Sequence, residues 1–375
     1  MPNPIEAWWI AFQAKTDDIQ ALFSQQAEWD LPQWMADHLH AIDPELMWEF
    51  GPAVQTEGHR LVITAEARRD LRPLVSAILQ RAPKIDGWEF YGYRQPEDYE
   101  MALQTVEVRT GGNISKTAFQ AVQGEFNLID LTFYGEGYSE ENEQANNDVF
   151  VAIETLLGEE ILDKWIGAIE VVPMSAIAGQ EIVPIEFLKQ HVDQLMSEIQ
   201  SQLPDTPYYQ NYQEEEWTAF ELEPEQAEEY PQQWDLIAGV SMLPEIWQNG
   251  HNNMSFDSVR FSKCGETFCY VKMDGTDGLD EEHFSGRGDI EEALNKALRE
   301  AKIGCVFGGG TGVKYSYVDL ALTDIGEGAA IVKQVLQQGN IHKRSWIQFY
   351  DTDLQARWIG VYDDSPTPPL IEFEE

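Results

Sequence analysis

Apolar residues recur at helical spacing from the start of the chain: Trp8, Trp9, Phe12, Ile19, Leu22 and Phe23 fall near i, i+3, i+4 and predict a first helix. A second, short helix is expected around Trp34, Met35 and Leu39, broken by Asp43-Pro44, because a residue before proline avoids the helical region. Leu46–Gly51 and His59–Thr64 read as neighbouring strands. Thr64 can cap a helix whose apolar stripe is Leu71, Leu74, Val75, Ile78 and Leu79. Strands follow over Gly87–Arg94, Phe126–Tyr134 and Trp165–Val172, with helices starting near Pro96, over Val149–Leu157 and from Pro184 through Ile199.

Periodicity disappears between Leu203 and Glu216, where prolines, tyrosines, amides and a glutamate run replace it. This predicts a linker over 205–216 between an N-terminal α+β domain (1–204) and a C-terminal domain (217–375), in keeping with a prior of roughly 150 residues per domain. In the second half, Trp217–Leu222, Leu236–Leu243, Phe256–Ser262 and Thr267–Met273 read as strands. The stripe Ile290, Ala293, Leu294, Ala297, Leu298, Ala301 reads as a helix. Cys305–Gly308 and Tyr315–Leu322 follow as strands joined by a glycine-rich turn. Asp324 and Glu327 cap a helix through Ile331, Val332, Val335 and Leu336, ended by Gly339-Asn340, before strands Trp346–Tyr350 and Trp358–Tyr362.

The fold class expected is therefore α+β in two domains, each an antiparallel sheet with helices on one face. The C-terminal domain has the ferredoxin-like order βαββαβ plus extra strands. The order from His59 to Val172 is similar and admits an internal duplication, supported also by Trp165-Ile166-Gly167 and Trp358-Ile359-Gly360 preceding Pro173 and Pro366 at equal spacing.

Charge changes the picture most. The chain carries 66 Asp/Glu against 24 Lys/Arg, a net −42. From Glu97 to Glu245 there are 31 acids against Arg109, Lys116, Lys164 and Lys189, whereas from Arg60 to Arg94 seven basic residues face four acidic ones. Such a field repels nucleic acid and anionic membrane and attracts cationic partners; the plain alternative is a charge that serves solubility. No apolar run reaches the roughly 18 residues of a membrane span. With no basic region ahead of an apolar stretch at the N-terminus, a cytoplasmic protein is expected. Cys264, Cys269 and Cys305 are expected to be free thiols, since Cys264 and Cys269 meet only diagonally across a hairpin at Gly265-Glu266.

No motif points to catalysis. Gly308-Gly309-Gly310-Thr311-Gly312 lacks the following Lys-Ser/Thr and helix of a phosphate loop, and is expected to be a hairpin turn needing positive φ. Asp274–Glu282 has acids at the wrong positions for a calcium loop, and Asp351 and Asp353 suit a turn. No serine elbow or paired metal-binding histidines occur, so no catalytic residue, metal or cofactor is expected. Strand aromatics remain as binding candidates: Trp88, Tyr91 and Tyr93 on one strand, Trp346, Tyr350 and Trp358 on the last two, where an uncovered sheet face would present them to a partner. Burial under loops or extra strands is the competing expectation.

The segment Ile85-Asp86-Gly87-Trp88-Glu89-Phe90-Tyr91-Gly92-Tyr93, with acids after it, resembles the late strand of the regulator of ribonuclease E activity B and its bacterial relatives, which are small, acidic, ferredoxin-like proteins. The resemblance implies a non-enzymatic protein that binds another protein; it covers about ten residues and transfers no functional residue. Together these features predict a protein-binding or regulatory protein, an inhibitor, decoy or immunity-like protein for a basic partner. An enzyme with a site between the domains is the rival expectation.

Overall fold

A computed structural model describes residues 3–177, 179, 181–210, 216–252, 254–275 and 283–371. It divides into two compact units, Met1–Gln120 with Leu131–His191, and Ala121–Asp130 with Val192–Glu375. The division differs from the expected 205–216 linker. Of that linker, 211–215 lie outside the described residues, but Tyr208 is docked: its N–H donates to Glu266 at 2.8 Å and its hydroxyl to the Phe261 carbonyl at 3.1 Å. Loss of periodicity marks irregular backbone, and irregular backbone can pack as well as link.

In the first unit, α1 (Pro4–Phe23) begins with proline in its first turn and Asn3 accepting from the Ile5 N–H. Its aromatic face meets a sheet rather than another helix alone: Trp9 packs edge-on against Phe90 (4.8 Å between ring centroids) and Phe12 against Trp88 (5.1 Å). After α2 (Leu31–His38), strands β1 (Met47–Pro52) and β2 (His59–Thr64), helix α3 (Arg72–Leu79) and strand β3 (Trp88–Tyr91) form a three-stranded sheet of order β1-β2-β3. The β1–β2 pair is antiparallel and β2–β3 parallel, since α3 carries the chain back across the sheet. Next come α4 (Tyr99–Thr110), β4 (Ala118–Gln123), β5 (Ile129–Gly135), α5 (Glu143–Leu157), α6 (Glu159–Trp165), β6 (Ile166–Pro173), β7 (Val183–Pro184) and α7 (Leu188–Gln202), with a separate sheet of order β6-β5-β4-β7; of these, 121–130 and α7 from Val192 onward fall in the second unit.

The expectation of one antiparallel sheet in the N-terminal half is thereby corrected, and with it the internal duplication. Strands that follow the right order in sequence are divided between two sheets, because order along the chain does not dictate which strands pair.

Glu89 on β3 holds the β1–β2 loop. Its carboxylate accepts from the N–H groups of Val54, Gln55 and Thr56 and from the hydroxyls of Thr56 and Tyr91. Partial desolvation opposes the charge, but these donors outweigh it and hold the carboxyl down to about 2. Glu89→Gln is expected to speed amide exchange at Val54, Gln55 and Thr56 selectively at neutral pH; unchanged protection there would show that the loop is held by other means.

The second unit adds β8 (Thr218–Glu221), β9 (Leu236–Ser241), α8 (Pro244–Gly250), β10 (Thr267–Asp274), α9 (Arg287–Ala301), β11 (Gly304–Gly312), β12 (Tyr315–Leu322), α10 (Ile325–Gln338), β13 (Ser345–Phe349) and β14 (Ile359–Gly360). Its sheet has seven strands in the order β14-β13-β10-β12-β11-β9-β8, with every adjacent pair antiparallel. Side-chain alternation separates two cores. Val271, Val318 and Leu320 pack with Leu294, Leu298, Val332 and Leu336 of the helices. Tyr270, Tyr317, Trp346 and Tyr350 point the other way, into an aromatic cluster with Trp247, Phe256 and Phe261. Both faces of the central strands are covered.

The glycine run is a second correction. Gly308, Gly309, Gly310 and Gly312 lie within strand β11, and none has positive φ. Glycine is required by neighbours instead: a Cβ on Gly308 would come 2.7 Å from Asp319 Oδ2, and one on Gly310 2.3 Å from Leu236 Cδ2.

Candidate functional site

The aromatic candidates separate on burial. Trp346 and Tyr350 are inside the second unit's aromatic core, and Trp358 is half-buried against it. The first two therefore present no face to a partner. Helix α8 and the 229–235 and 254–262 segments supply the cover; all are extra to the six-element core that element order made legible. Trp88 packs against α1 and β1 through Phe12 and Phe50. Tyr91 is half-buried with its hydroxyl on Glu89, and the Tyr93 ring lies under the Arg72 guanidinium at 4.2 Å. Trp88, Tyr91 and Tyr93 belong to the first unit and Trp346, Tyr350 and Trp358 to the second.

What does converge is charge, in two places. In the first unit, Arg72 on α3 is buried and donates to Glu159 at 2.8 Å and Asp163 at 2.6 Å, both on α6, and to Thr64 at 3.0 Å. Thr64 in turn donates to Glu159 at 2.6 Å, so it completes this network rather than capping α3. Burial alone would raise the Glu159 carboxyl; hydrogen bonds from Thr64, the Arg94 N–H and Arg72 reverse that and lower it. Asp163, on the same guanidinium, moves the other way because burial outweighs its pairing with Arg72 and Arg69. The opposite directions follow from donor count. A shallow cleft of about 230 Å³ adjoins this network. Two arginines line it, and both grip one carboxylate: Arg94 meets Glu154 at 2.8 Å and Arg109 meets it at 2.5 Å. Arg94 also pairs with Glu66 and lies 3.5 Å from Glu49.

In the second unit, Asp319 on β12 is fully buried and accepts from Tyr350 at 2.9 Å and Gln233 at 3.0 Å, while its Oδ2 has no hydrogen-bond partner among the described residues. Burial pushes this carboxyl up to about 6 against those two donors. Asp351, held by the Ser258 N–H and hydroxyl, is pushed up to about 7 by burial and by the charge of Asp257. Lys272 is also fully buried, with its Nζ on the Gln232 carbonyl at 2.8 Å and 4.2 Å from the Tyr315 ring centroid. Burial lowers it to about 7, with the charge of Asp235 opposing. Gln233 of the 229–235 loop holds Asp319 and the Gln232 carbonyl holds Lys272, whereas Asp351 is half-buried beside Ser258. Each is matched to carbonyls, hydroxyls or rings of its own chain.

Among the described residues, no group of three His, Cys, Asp or Glu side chains is placed to hold a metal ion, and no helix is long and apolar enough to cross a membrane. Most of the acidic segment Asp274–Glu282 lies outside the described residues. Cys269 and Cys305 are buried and Cys264 is half-buried. Compared with known proteins, the chain matches no family model, no curated protein and no solved structure.

The residues that sequence reasoning passed over are the arginines of the 60–94 segment. Their clustering in an acidic chain was visible; their destination was not. Arg60, Arg68, Arg69, Arg72 and Arg94 all lie within ion-pair distance of a carboxylate.

Proposed function

We propose that this chain is a non-enzymatic protein-binding or regulatory protein of the cytoplasm whose acidic exterior receives a basic protein. One observation carries the reading: several of the scarce cations are tied to carboxylates of their own chain, while acids away from them stay exposed. Arg72, Arg94 and Arg109 saturate Glu159, Asp163 and Glu154. Glu140, Glu141 and Glu143, by contrast, are exposed around the start of α5. A charge of this size raises the encounter rate with cations and repels polyanions, which argues against nucleic acid as a partner.

The second unit fits a ferredoxin-like module with added strands. Support comes from the order β13-β10-β12-β11, with α9 and α10 as the two crossovers and β14, β9 and β8 as additions. That architecture agrees with the resemblance carried by Ile85–Tyr93 in kind, though the resembling segment lies in the first unit.

The reading is tested by immobilising the full chain beside polyglutamate of matched charge and passing native lysate over both at physiological ionic strength, where screening acts over about 8 Å. A basic protein retained by the chain alone and released as salt rises is the expected result. Equal retention on polyglutamate, or retention of no cationic protein, would leave the charge as a solubility device.

A further inference from the structure

Strand β8 ends the seven-stranded sheet, and its outer edge has no partner among the described residues. The Leu222 N–H donates to the Ile237 carbonyl, and Phe220 pairs with Gly239 in the same register. In an antiparallel ladder, hydrogen-bonding groups alternate between the two edges. Thr218, Phe220 and Leu222 therefore direct their backbone groups to β9, while Trp217, Ala219 and Glu221 direct theirs outward. Sheet edges are ordinarily protected by lysine, proline, a bulge or a covering loop. Trp217-Thr218-Ala219-Phe220-Glu221-Leu222 contains no proline, no lysine and no register shift against β9.

Two further observations concern what would lie there. Leu222 and Ile237, which pair directly across β8 and β9, are 37% and 45% exposed, and Trp217, 48% exposed, lies at the other end of the strand on the opposite face, while Phe220 is anchored on Trp247 with ring centroids 4.0 Å apart. The longer edge strand β6 carries no comparably exposed large apolar residue. Glu216, Glu221 and Glu223 lie in or beside β8 along the chain, and all are exposed. An extended segment paired here would lie beside carboxylates, with an exposed apolar side chain near each end of the strand.

We propose that the edge of β8 is a docking site for an extended, basic peptide segment of a partner, which adds as an eighth strand. Backbone hydrogen bonds to Ala219 and Glu221 would set its register. Lysine or arginine side chains would meet Glu221 and Glu223 on one face, and apolar ones Leu222 on the other. The proposal rests on the reading of a cationic partner and adds where and how that partner binds.

The probe is a fluorescently labelled peptide of alternating lysine and valine, with an alternating glutamate and valine peptide as control and a third version N-methylated at alternate amides, which keeps charge and loses ladder donors. Anisotropy titrations against the full chain are expected to show binding of the basic peptide, none of the acidic one, and at least a tenfold loss on N-methylation. Ala219→Pro should cause a similar loss while leaving the fold intact, because it removes an outward N–H and proline is tolerated on that side of an edge strand. Equal binding of the methylated and unmethylated basic peptides would overturn the edge site and leave the cationic-partner reading standing. Failure of the basic peptide to bind even at low salt would overturn both. The methylated peptide decides the matter even where Ala219→Pro disturbs folding.

Discussion

Replacing Arg72 with leucine is expected to destabilise the first unit by about 3–5 kcal/mol, the usual consequence of removing one partner from a buried ion pair. Glu159 and Asp163 would be left facing an apolar side chain, with side chains only 5% and 18% exposed to water. Thr64 would keep its bond to Glu159 but lose the guanidinium it shares. The deficit should depend on pH. Glu159 is depressed in the folded protein, so its contribution is complete above the ordinary carboxylate range and disappears as pH falls through its folded value. Wild type and variant should therefore converge in acid. Urea unfolding at neutral pH and near pH 4 measures both effects. A companion variant, Arg72→Met with Glu159→Gln and Asp163→Asn, removes the stranded charges and should recover much of the loss. A single-variant deficit below about 1 kcal/mol would mean that water reaches the network and the pair is effectively a surface one.

The second unit should be more stable in mild acid than at neutral pH. Asp319 and Asp351 are raised by burial to about 6 and about 7. A carboxyl whose folded value lies above its unfolded one binds its proton more tightly when folded, so stability is complete below the unfolded value and is lost as pH climbs through the folded one. The window runs from about pH 4 to about pH 7. At 1.36 kcal/mol per pH unit, the loss is on the order of 3 kcal/mol for Asp319 and 4 kcal/mol for Asp351. Asp319→Asn keeps an oxygen for Tyr350 and Gln233 and cannot ionise. It should raise stability at pH 7.5 and remove the part of the slope between about pH 4 and 6. Paired melts of wild type and Asp319→Asn across that range provide the measurement. Parallel curves would show that Asp319 does not titrate there, and that a donor to Oδ2 stabilises the carboxylate.

Both predictions concern residues 85 or more positions apart in some of their contacts, such as Arg72 with Glu159 and Gln233 with Asp319. That separation explains how far the sequence could be read. Local periodicity determined that Ile290, Leu294 and Leu298 line one side of a helix, that Tyr270 and Val271 point to opposite faces of a strand, and that Asp324 starts α10 by accepting from the Glu327 N–H. Composition determined the net charge and its uneven spread. These features depend on residues within a turn or two of each other, or on none at all.

Tertiary structure decided everything that depends on who lies opposite. Alternation says that Trp346 and Tyr350 share a face; only α8 and the 229–235 and 254–262 segments decide that the face is closed. Four glycines read as a turn because turns are the commonest local use of glycine, whereas here Asp319, Leu236 and Asp235 lie where their Cβ atoms would go. The arginines of 60–94 read as a basic patch until the path of the chain brings Glu154, Glu159 and Asp163 onto them. A side chain's type limits the partners it can accept, but the partner is delivered by the route of the backbone, and that route is set by the packing of the whole unit.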